Sequence, residues 1–365
     1  MSGSTADGSA LVLPVYFNSE TLGPQLESYV SLNGGLVEPY SFDTGAPEFF
    51  ATYGAWWPGT SELSQAGSAN FTFAQAPTYY YQTASTSVTV TDASGTPAVT
   101  VTDANVAQVT NITSYGNGPT PANSFENWAT AAQGFTPLSN GTFGDFGAGL
   151  YGDSDLGTIL AQVGLSSDLG AGFIVEAPSA ILTTSVTSSG TFASVAAVSP
   201  GSVTVGLTAA TIAAWKSDPD TIVLSMPPKG GPLPSPDGTA AWSSFNKAQA
   251  ADTVVTLTKD GQTVTFDMGM VIDTDGGNSN NIYSTGDIDL PSWASGTLED
   301  VAYMLTEPNV SGGGSSTILS YTASSSEPLS AGGHTSSLST PESYGDRDNP
   351  GYNLYLSYTV MFDVA

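Results

Sequence analysis

Two short acidic turns hold the residues of this chain best suited to chemistry. "FDTGA" spans residues 42 to 46 and "VIDTDGG" spans residues 271 to 277. Each follows a segment that reads as a hydrophobic strand, so each sets one carboxyl group, Asp43 or Asp273, at a strand end among small residues. One such turn needs no explanation beyond geometry, since Asp and Gly are ordinary turn formers. Two of them allow a specific reaction. Carboxyl groups close enough to share one proton and hold one water between them split their ionisations, so that one acts as base and the other as acid at mildly acidic pH. That is machinery for hydrolysing a peptide bond without a covalent intermediate. It demands rigid, glycine-permitted turns, in which backbone N–H groups and a neighbouring Thr hydroxyl fix each carboxyl. Asp-Thr-Gly at a strand end meets that demand. Asp275 competes with Asp273 as the acid of the second turn.

The elements that must position these turns are strands. Ser, Thr, Gly, Val and Tyr are plentiful and helical periodicity is scarce, which predicts an all-β or mostly-β chain with a few short helices. Residues 11–17 read as a strand, and residues 27–40 as a hairpin turning at Asn33-Gly34. Alternating Val and Thr over 86–106 predict another hairpin around Ser94-Gly95. Strands recur over 184–206, and a further hairpin turns at Asp260-Gly261 before the second acidic turn. Helical patterns cover 153–164, 208–218 (capped by Thr208) and 295–307. The Pro/Gly run 227–238 predicts a surface excursion, and "YNLYLSYTVMFDVA" a closing strand. A weak long-range duplication relates "NGGLVEPYSFDTG" to "DGQTVTFDMGMVIDTDGG": a turn, an alternating strand, then Asp-Thr. Two related lobes, each donating one carboxyl group, would bring the pair together.

Composition removes several classes of function. Among 365 residues, 33 are acidic and five basic (Lys216, Lys229, Lys247, Lys259 and Arg347), so the first 215 carry no basic side chain. Nucleic acid is therefore not an expected partner. With few ion pairs to lose, tolerance of acid is expected. The absence of cysteine excludes disulfides, thiol chemistry and iron–sulfur clusters. No apolar run is long enough to predict a transmembrane segment, and "MSGSTADGSA" does not read as a signal peptide, so any export signal is expected upstream. His334, the sole histidine, reads as a solvated loop residue. No G-x-S-x-G elbow accompanies it, and one His without Cys makes no zinc site. "DTDGGNSNN" alternates oxygen-bearing residues as a calcium loop would, yet has Asn278 where the loop needs Gly and Ser284 where it needs Glu. Neither metal nor organic cofactor is expected. Trp56-Trp57 and "TYYYQT" read as packing residues in preference to a sugar-binding platform. Asn-x-Ser/Thr sites occur at Asn70, Asn111, Asn140 and Asn309.

With both turns in view, the chain resembles the pepsin-like aspartic proteases, and more specifically the aspartic protease domain of mycobacterial PE-PGRS proteins, the PecA family. Besides the turns, the resemblance draws on "LPVYFNSE", "TYYYQTASTSVTV" at 78–90, "NGTFGDFGAG" at 140–149 and "NPGYNLYLSYTVMFD" at 349–363. It implies a bilobal fold with an active-site cleft between an amino-terminal lobe, residues 11–190, and a carboxy-terminal lobe, 191–365. It implies Asp43 and Asp273 as the catalytic dyad, Thr44 and Thr274 interlocked across the lobe interface, and support from Gly45, Gly276 and Gly277. Tyr79, Tyr80 or Tyr81 would belong to the substrate-covering flap, with Tyr115 as a rival. The implied substrate is an extended polypeptide in the cleft, with PE-domain proteins among its sources, and the implied protein is a monomer that is secreted or held at the cell envelope or surface. Two departures stand out. Ala46 replaces the usual Ser, as in retroviral-type turns. Asp275 replaces the first Gly of the second turn, either because that loop has one extra residue, with Gly276-Gly277 in the usual roles, or because the site is impaired. Two readings compete with a protease: a catalytically impaired peptide binder of the same shape, and a β-sandwich surface or S-layer-type protein.

Overall fold

The computed structural model describes residues 10–18, 25–53, 68–72, 78–113, 138, 142–150, 156–178, 181–182, 200–222, 224, 228–233, 242–245, 252–274, 280–284, 291–294, 296–308, 315–323, 329–333, 347–351 and 353–363. The fold is mostly β, as the composition predicts. Its first large sheet takes β1 (Leu11–Asn18), β2 (Gln25–Leu32), β3 (Val37–Asp43), β4 (Phe49–Thr52), β5 (Ser68–Thr72), β6 (Thr78–Thr91), β7 (Pro97–Thr113), β8 (Gly144–Gly147), β9 (Gly170–Glu176), β10 (Ile181–Leu182) and β11 (Gly201–Leu207). A two-stranded ribbon pairs β12 (Pro228–Pro232) with β13 (Ser243–Phe245). The second large sheet holds β14 (Asp252–Lys259), β15 (Gln262–Met270), β16 (Asn280–Ser284), β17 (Gly296–Leu298), β18 (Ala302–Pro308), β19 (Ser315–Thr322), β20 (Leu329–Gly333) and β21 (Arg347–Asn349). The closing strand β22 (Val360–Asp363) returns to the first sheet, which runs β22-β9-β11-β1-β2-β3-β8-β4-β7-β6-β5.

The hairpin turns form where the sequence places them. Asn33 and Gly34 have φ of 49° and 71°, and Asp260 and Gly261 have 50° and 75°. Both are left-handed pairs: Asp260-Gly261 makes a two-residue hairpin, with Lys259 opposite Gln262, whereas after Asn33-Gly34 the loop takes in Gly35 as well, with Ser31 opposite Val37. The Ser94-Gly95 turn is held by Asp92, whose Oδ1 accepts from the N–H groups of Ser94 (2.9 Å) and Thr96 (2.8 Å). Along β6 and β7, Val88, Val90, Val99 and Val101 face inward and are buried. One apolar core runs on from them through Leu13, Val15 and Phe173 to Val255, Leu257 and Tyr303, and so joins the two sheets.

Helix is where the sequence misleads. Thr208 caps α2 (Ala209–Ser217) as expected, its hydroxyl accepting from Thr211 N–H at 3.0 Å. The helix expected over 153–164 is only α1 (Ile159–Gln162), because Thr158 keeps an extended backbone and starts the helix late. The helix expected over 295–307 does not form. Residues 302–308 are β18, with Tyr303 and Leu305 buried and Ala302 and Met304 exposed. Pairing with β14 on one edge and β19 on the other satisfies its backbone, and that outweighs a weak local preference. In the closing segment, adjacent Leu354 and Tyr355 are both buried, which a strand facing one core could not achieve; they sit on α3 (Asn353–Ser357), before β22. The Pro/Gly run is no pure surface excursion either. It enters β12, and Leu233 is buried with its N–H bonded to Trp242 O at 2.7 Å. Among the described residues one ion pair forms, Lys216 with Asp363 at 2.7 Å, which ties α2 to β22.

Candidate active site

The same strand arrangement occurs twice, once around each acidic turn. β3 runs into Asp43, β4 leads away, and β8 lies between them, parallel to β3 (Phe42 opposite Phe146) and antiparallel to β4 (Phe49 opposite Phe146). In the second sheet β15 leads into Asp273, β16 leads away, and β21 lies between them, parallel to β15 (Met270 opposite Asp348) and antiparallel to β16 (Ile282 opposite Asp348). An inserted strand leaves a strand-end turn no freedom to swing. In the first half, stacked rings fix it further: Phe42 lies 5.7 Å from Phe146, and Phe49 lies 5.5 Å from Phe146 and 4.9 Å from Tyr40.

The two turns are bonded to each other. Thr44 N–H donates to Thr274 Oγ1 at 3.0 Å, and Thr274 N–H donates to Thr44 Oγ1 at 3.0 Å. Each hydroxyl then donates onward across the interface, Thr44 Oγ1 to Ile272 O at 2.7 Å and Thr274 Oγ1 to Phe42 O. Thr44 Oγ1 also lies 3.0 Å from Tyr355 Oη. Both threonines are buried, so this reciprocal set is shielded from water.

The carboxyl groups meet at Gly45. Its N–H donates to Asp43 Oδ1 at 2.5 Å. On its other side the Asp273 carboxyl comes so close that a Cβ on Gly45 would sit 2.7 Å from Cγ and 2.8 and 2.9 Å from the two oxygens. Only glycine allows that approach. Asp43 is buried and Asp273 partly exposed, the gradient expected of a pair reached from one side. Asn349 Nδ2 donates to Asp273 Oδ2 at 2.8 Å, and Asn349 Oδ1 accepts from Gly351 N–H at 2.9 Å.

Ala46 is fully buried in a cluster with Phe50, Tyr79, Tyr81, Ala107 and Val109, a setting in which a Ser hydroxyl would require a partner. Tyr79 and Tyr81 lie on β6, which leaves the β5–β6 hairpin. Both rings stand edge-on to Phe50 at 5.6 Å, and Tyr81 Oη donates to Glu48 Oε1 at 3.1 Å. Tyr80 points to the other face and is partly exposed. Residues 73–77, with Asp275, Gly276, Gly277, Tyr115, His334, Trp56 and Trp57, lie outside the described residues.

Sequence reasoning missed two polar groups here. Asp145, on β8, is buried, accepts a hydrogen bond from the Tyr79 hydroxyl and lies within the field of Asp273. Burial pushes its carboxyl up to about 7; the Tyr79 bond opposes that and the Asp273 charge adds to it. Asn349, on β21, is the other. The signal was present in the matching strings Asp145-Phe146-Gly147 and Asn349-Pro350-Gly351. In "NGTFGDFGAG" the leading acid is hidden among small and aromatic residues.

A cavity of about 740 Å³ lies beside the site, lined among others by Trp215, Ile222, Ile272, Ile318, Leu354 and Val360. Neither Asp43 nor Asp273 lines it, so its apolar walls are not where acid–base chemistry would occur. No protein-family model and no curated protein matches the chain. Among solved structures, the aspartic proteinase from Irpex lacteus is similar over 97% of this chain and 94% of its own length, with 14% sequence identity and a TM-score of 0.48.

Proposed function

We propose that this protein is an aspartic endopeptidase in which Asp43 and Asp273 activate one water. The observation that carries this reading is the convergence of both carboxyl groups on Gly45, with their turns interlocked through Thr44 and Thr274. Two carboxyl groups touching one residue ionise unequally, because the second negative charge is costly beside the first. The ionised partner takes a proton from the water as it attacks the peptide carbonyl, and the protonated partner gives its proton to the carbonyl oxygen. Asn349 holds Asp273 in orientation throughout. Support from Gly276 and Gly277 is what the resemblance implies, and in this reading the flap is the β5–β6 hairpin, with Tyr79 and Tyr81 anchoring its outgoing strand.

In this reading the lobes are residues 11–190 and 191–365, each supplying one carboxyl group, and an extended peptide pairs its backbone with the flap in the cleft between them. The resemblance to the PE-PGRS protease domain extends the proposal to an exported monomer at the envelope or surface that processes PE-domain proteins. Asp275 favours one alternative, a binder of the same shape whose second turn is spoiled. One experiment separates them: cleavage of an unstructured peptide at mildly acidic pH by the wild type, Asp43→Asn and Asp273→Asn. Each substitution is expected to lower the rate at least about 100-fold, the low end of what a positioned acid or base contributes. Unaltered cleavage in both variants overturns the assignment, and no cleavage by the wild type leaves the binder.

A further inference from the structure

The two inserted strands can be compared residue by residue. β8 places Ser41 opposite Asp145, Phe42 opposite Phe146 and Asp43 opposite Gly147. β21 places Met270 opposite Asp348, and Val271 N–H bonds to Asp348 O at 2.8 Å; continuing that register past the paired residues aligns Val271 with Asn349 and Asp273 with Gly351. Asp145 therefore holds in the first half the position that Asn349 holds in the second. Asn349 uses that position to donate a hydrogen bond to a candidate catalytic carboxyl. An amide can always do so; a carboxyl group can do so only with its proton on.

Asp145 is 3% exposed, and its Oδ2 has no hydrogen-bond partner among the described residues. A bare carboxylate oxygen in that position would bear its full desolvation cost, whereas a neutral carboxyl group would not. Among the described residues no cation is shown to relieve it: no Lys, Arg or His precedes Lys216, and the charged group acting on Asp145 is Asp273, itself acidic. The other titratable groups in this part of the first half include Glu27 on β2 (opposite Ser41, which is opposite Asp145), Tyr40 and Asp43 on β3, Glu48 ahead of β4, and Tyr79 and Tyr81 on β6. All are acids or phenols.

We propose that Asp145 is a third carboxyl group beside the site, a positioning residue that acts in its neutral form by holding Tyr79 on the flap strand, from the strand position that Asn349 occupies in the second half. This rests on the protease reading for its effect on rate, but not for its protonation. The test compares Asp145→Asn with Asp145→Leu. Asn keeps the shape, the neutral charge and an oxygen to accept the Tyr79 bond, whereas Leu fills the same space without one. At about pH 5, where the dyad works as acid and base, Asp145→Asn is expected to cleave within about threefold of wild type. Asp145→Leu is expected to fall at least about tenfold, with thermal midpoints unchanged in both. A role in packing alone would predict that Leu suffices; Leu at wild-type rate, or Asn as inactive as Leu, overturns the proposal.

Infrared difference spectra give a readout independent of cleavage. The wild type is expected to show a protonated-carboxyl stretch that disappears as pH rises through about 7 and that Asp145→Asn lacks. If Asp145→Asn retains every such band, Asp145 is not the neutral group. If the wild type cleaves nothing, the endopeptidase reading fails while the spectra still decide the state of Asp145.

Discussion

Replacing Thr44 by Val tests the interlock directly, because the two side chains have nearly the same shape and differ in the hydroxyl. In the native turn that hydroxyl donates to Ile272 O at 2.7 Å and accepts from Thr274 N–H at 3.0 Å. Val removes the partner of two buried backbone groups at once. Each buried group left without its hydrogen bond costs about 1–3 kcal/mol, so the substitution should destabilise by roughly 2–6 kcal/mol. Thr44→Ser loses only a methyl group, worth ~1 kcal/mol. Equilibrium unfolding in urea separates the two: Val should move the midpoint well below that of Ser, with the slope unchanged. Thr274→Val should behave like Thr44→Val. Because the two threonines share bonds, the double variant should cost less than the sum of the singles, with a coupling of about 0.5–3 kcal/mol. If Val and Ser unfold at the same midpoint, or the two Val substitutions add, the turns are not held together in this way.

Gly45→Ala should displace the Asp273 carboxyl, since the new Cβ would sit 2.7 Å from its Cγ. Misplacement on this scale is expected to lower kcat about 100-fold while the thermal midpoint falls little, and a near-native kcat would refute the close approach. Stability should be greater in weak acid than above neutrality. Burial raises the carboxyl groups of Asp145 and Glu38 from ordinary values of 3.8 and 4.5 to about 7 in the fold. The folded chain therefore binds more protons than the unfolded one between about pH 4 and 7. Stability from these groups is fully present below the ordinary values and is lost as pH rises through about 7. The ceiling for Asp145 alone is about 4 kcal/mol, at ~1.4 kcal/mol per pH unit. Asp92 works in the opposite sense, lowered chiefly by its bond from the Ser94 hydroxyl, but it sits on an exposed turn. Urea midpoints that fall steadily from pH 7 to pH 4 would contradict this balance.

What the sequence discloses is what local chemistry decides. Asn33-Gly34 and Asp260-Gly261 announce their hairpins because few dipeptides accept two positive φ values. The Asp-Thr turns announce themselves because their demand for small residues is written into four or five consecutive positions. "TLEDVAYMLTE" reads as helix because its strand character comes from β14 and β19, neighbours that no local pattern specifies. Asp145 and Asn349 stayed hidden for the same reason. Each reaches its acidic turn only after a long excursion of chain, and nothing in the composition of "GDFG" says that its acid lies within the field of Asp273. The mutual hold of Thr44 and Thr274, separated by 230 residues, was legible only through resemblance.

The placement of β22 bears on how the molecule is made. This strand pairs with β9, which pairs with β11, which pairs with β1. During synthesis, the sheet that carries Asp43 would be left with an open border along β9 until residue 363 has emerged from the ribosome. An uncovered border of this kind invites pairing with another chain. Clipping after α3 should recreate that hazard in the finished molecule, and would make self-association, not loss of the acidic turns, its first symptom.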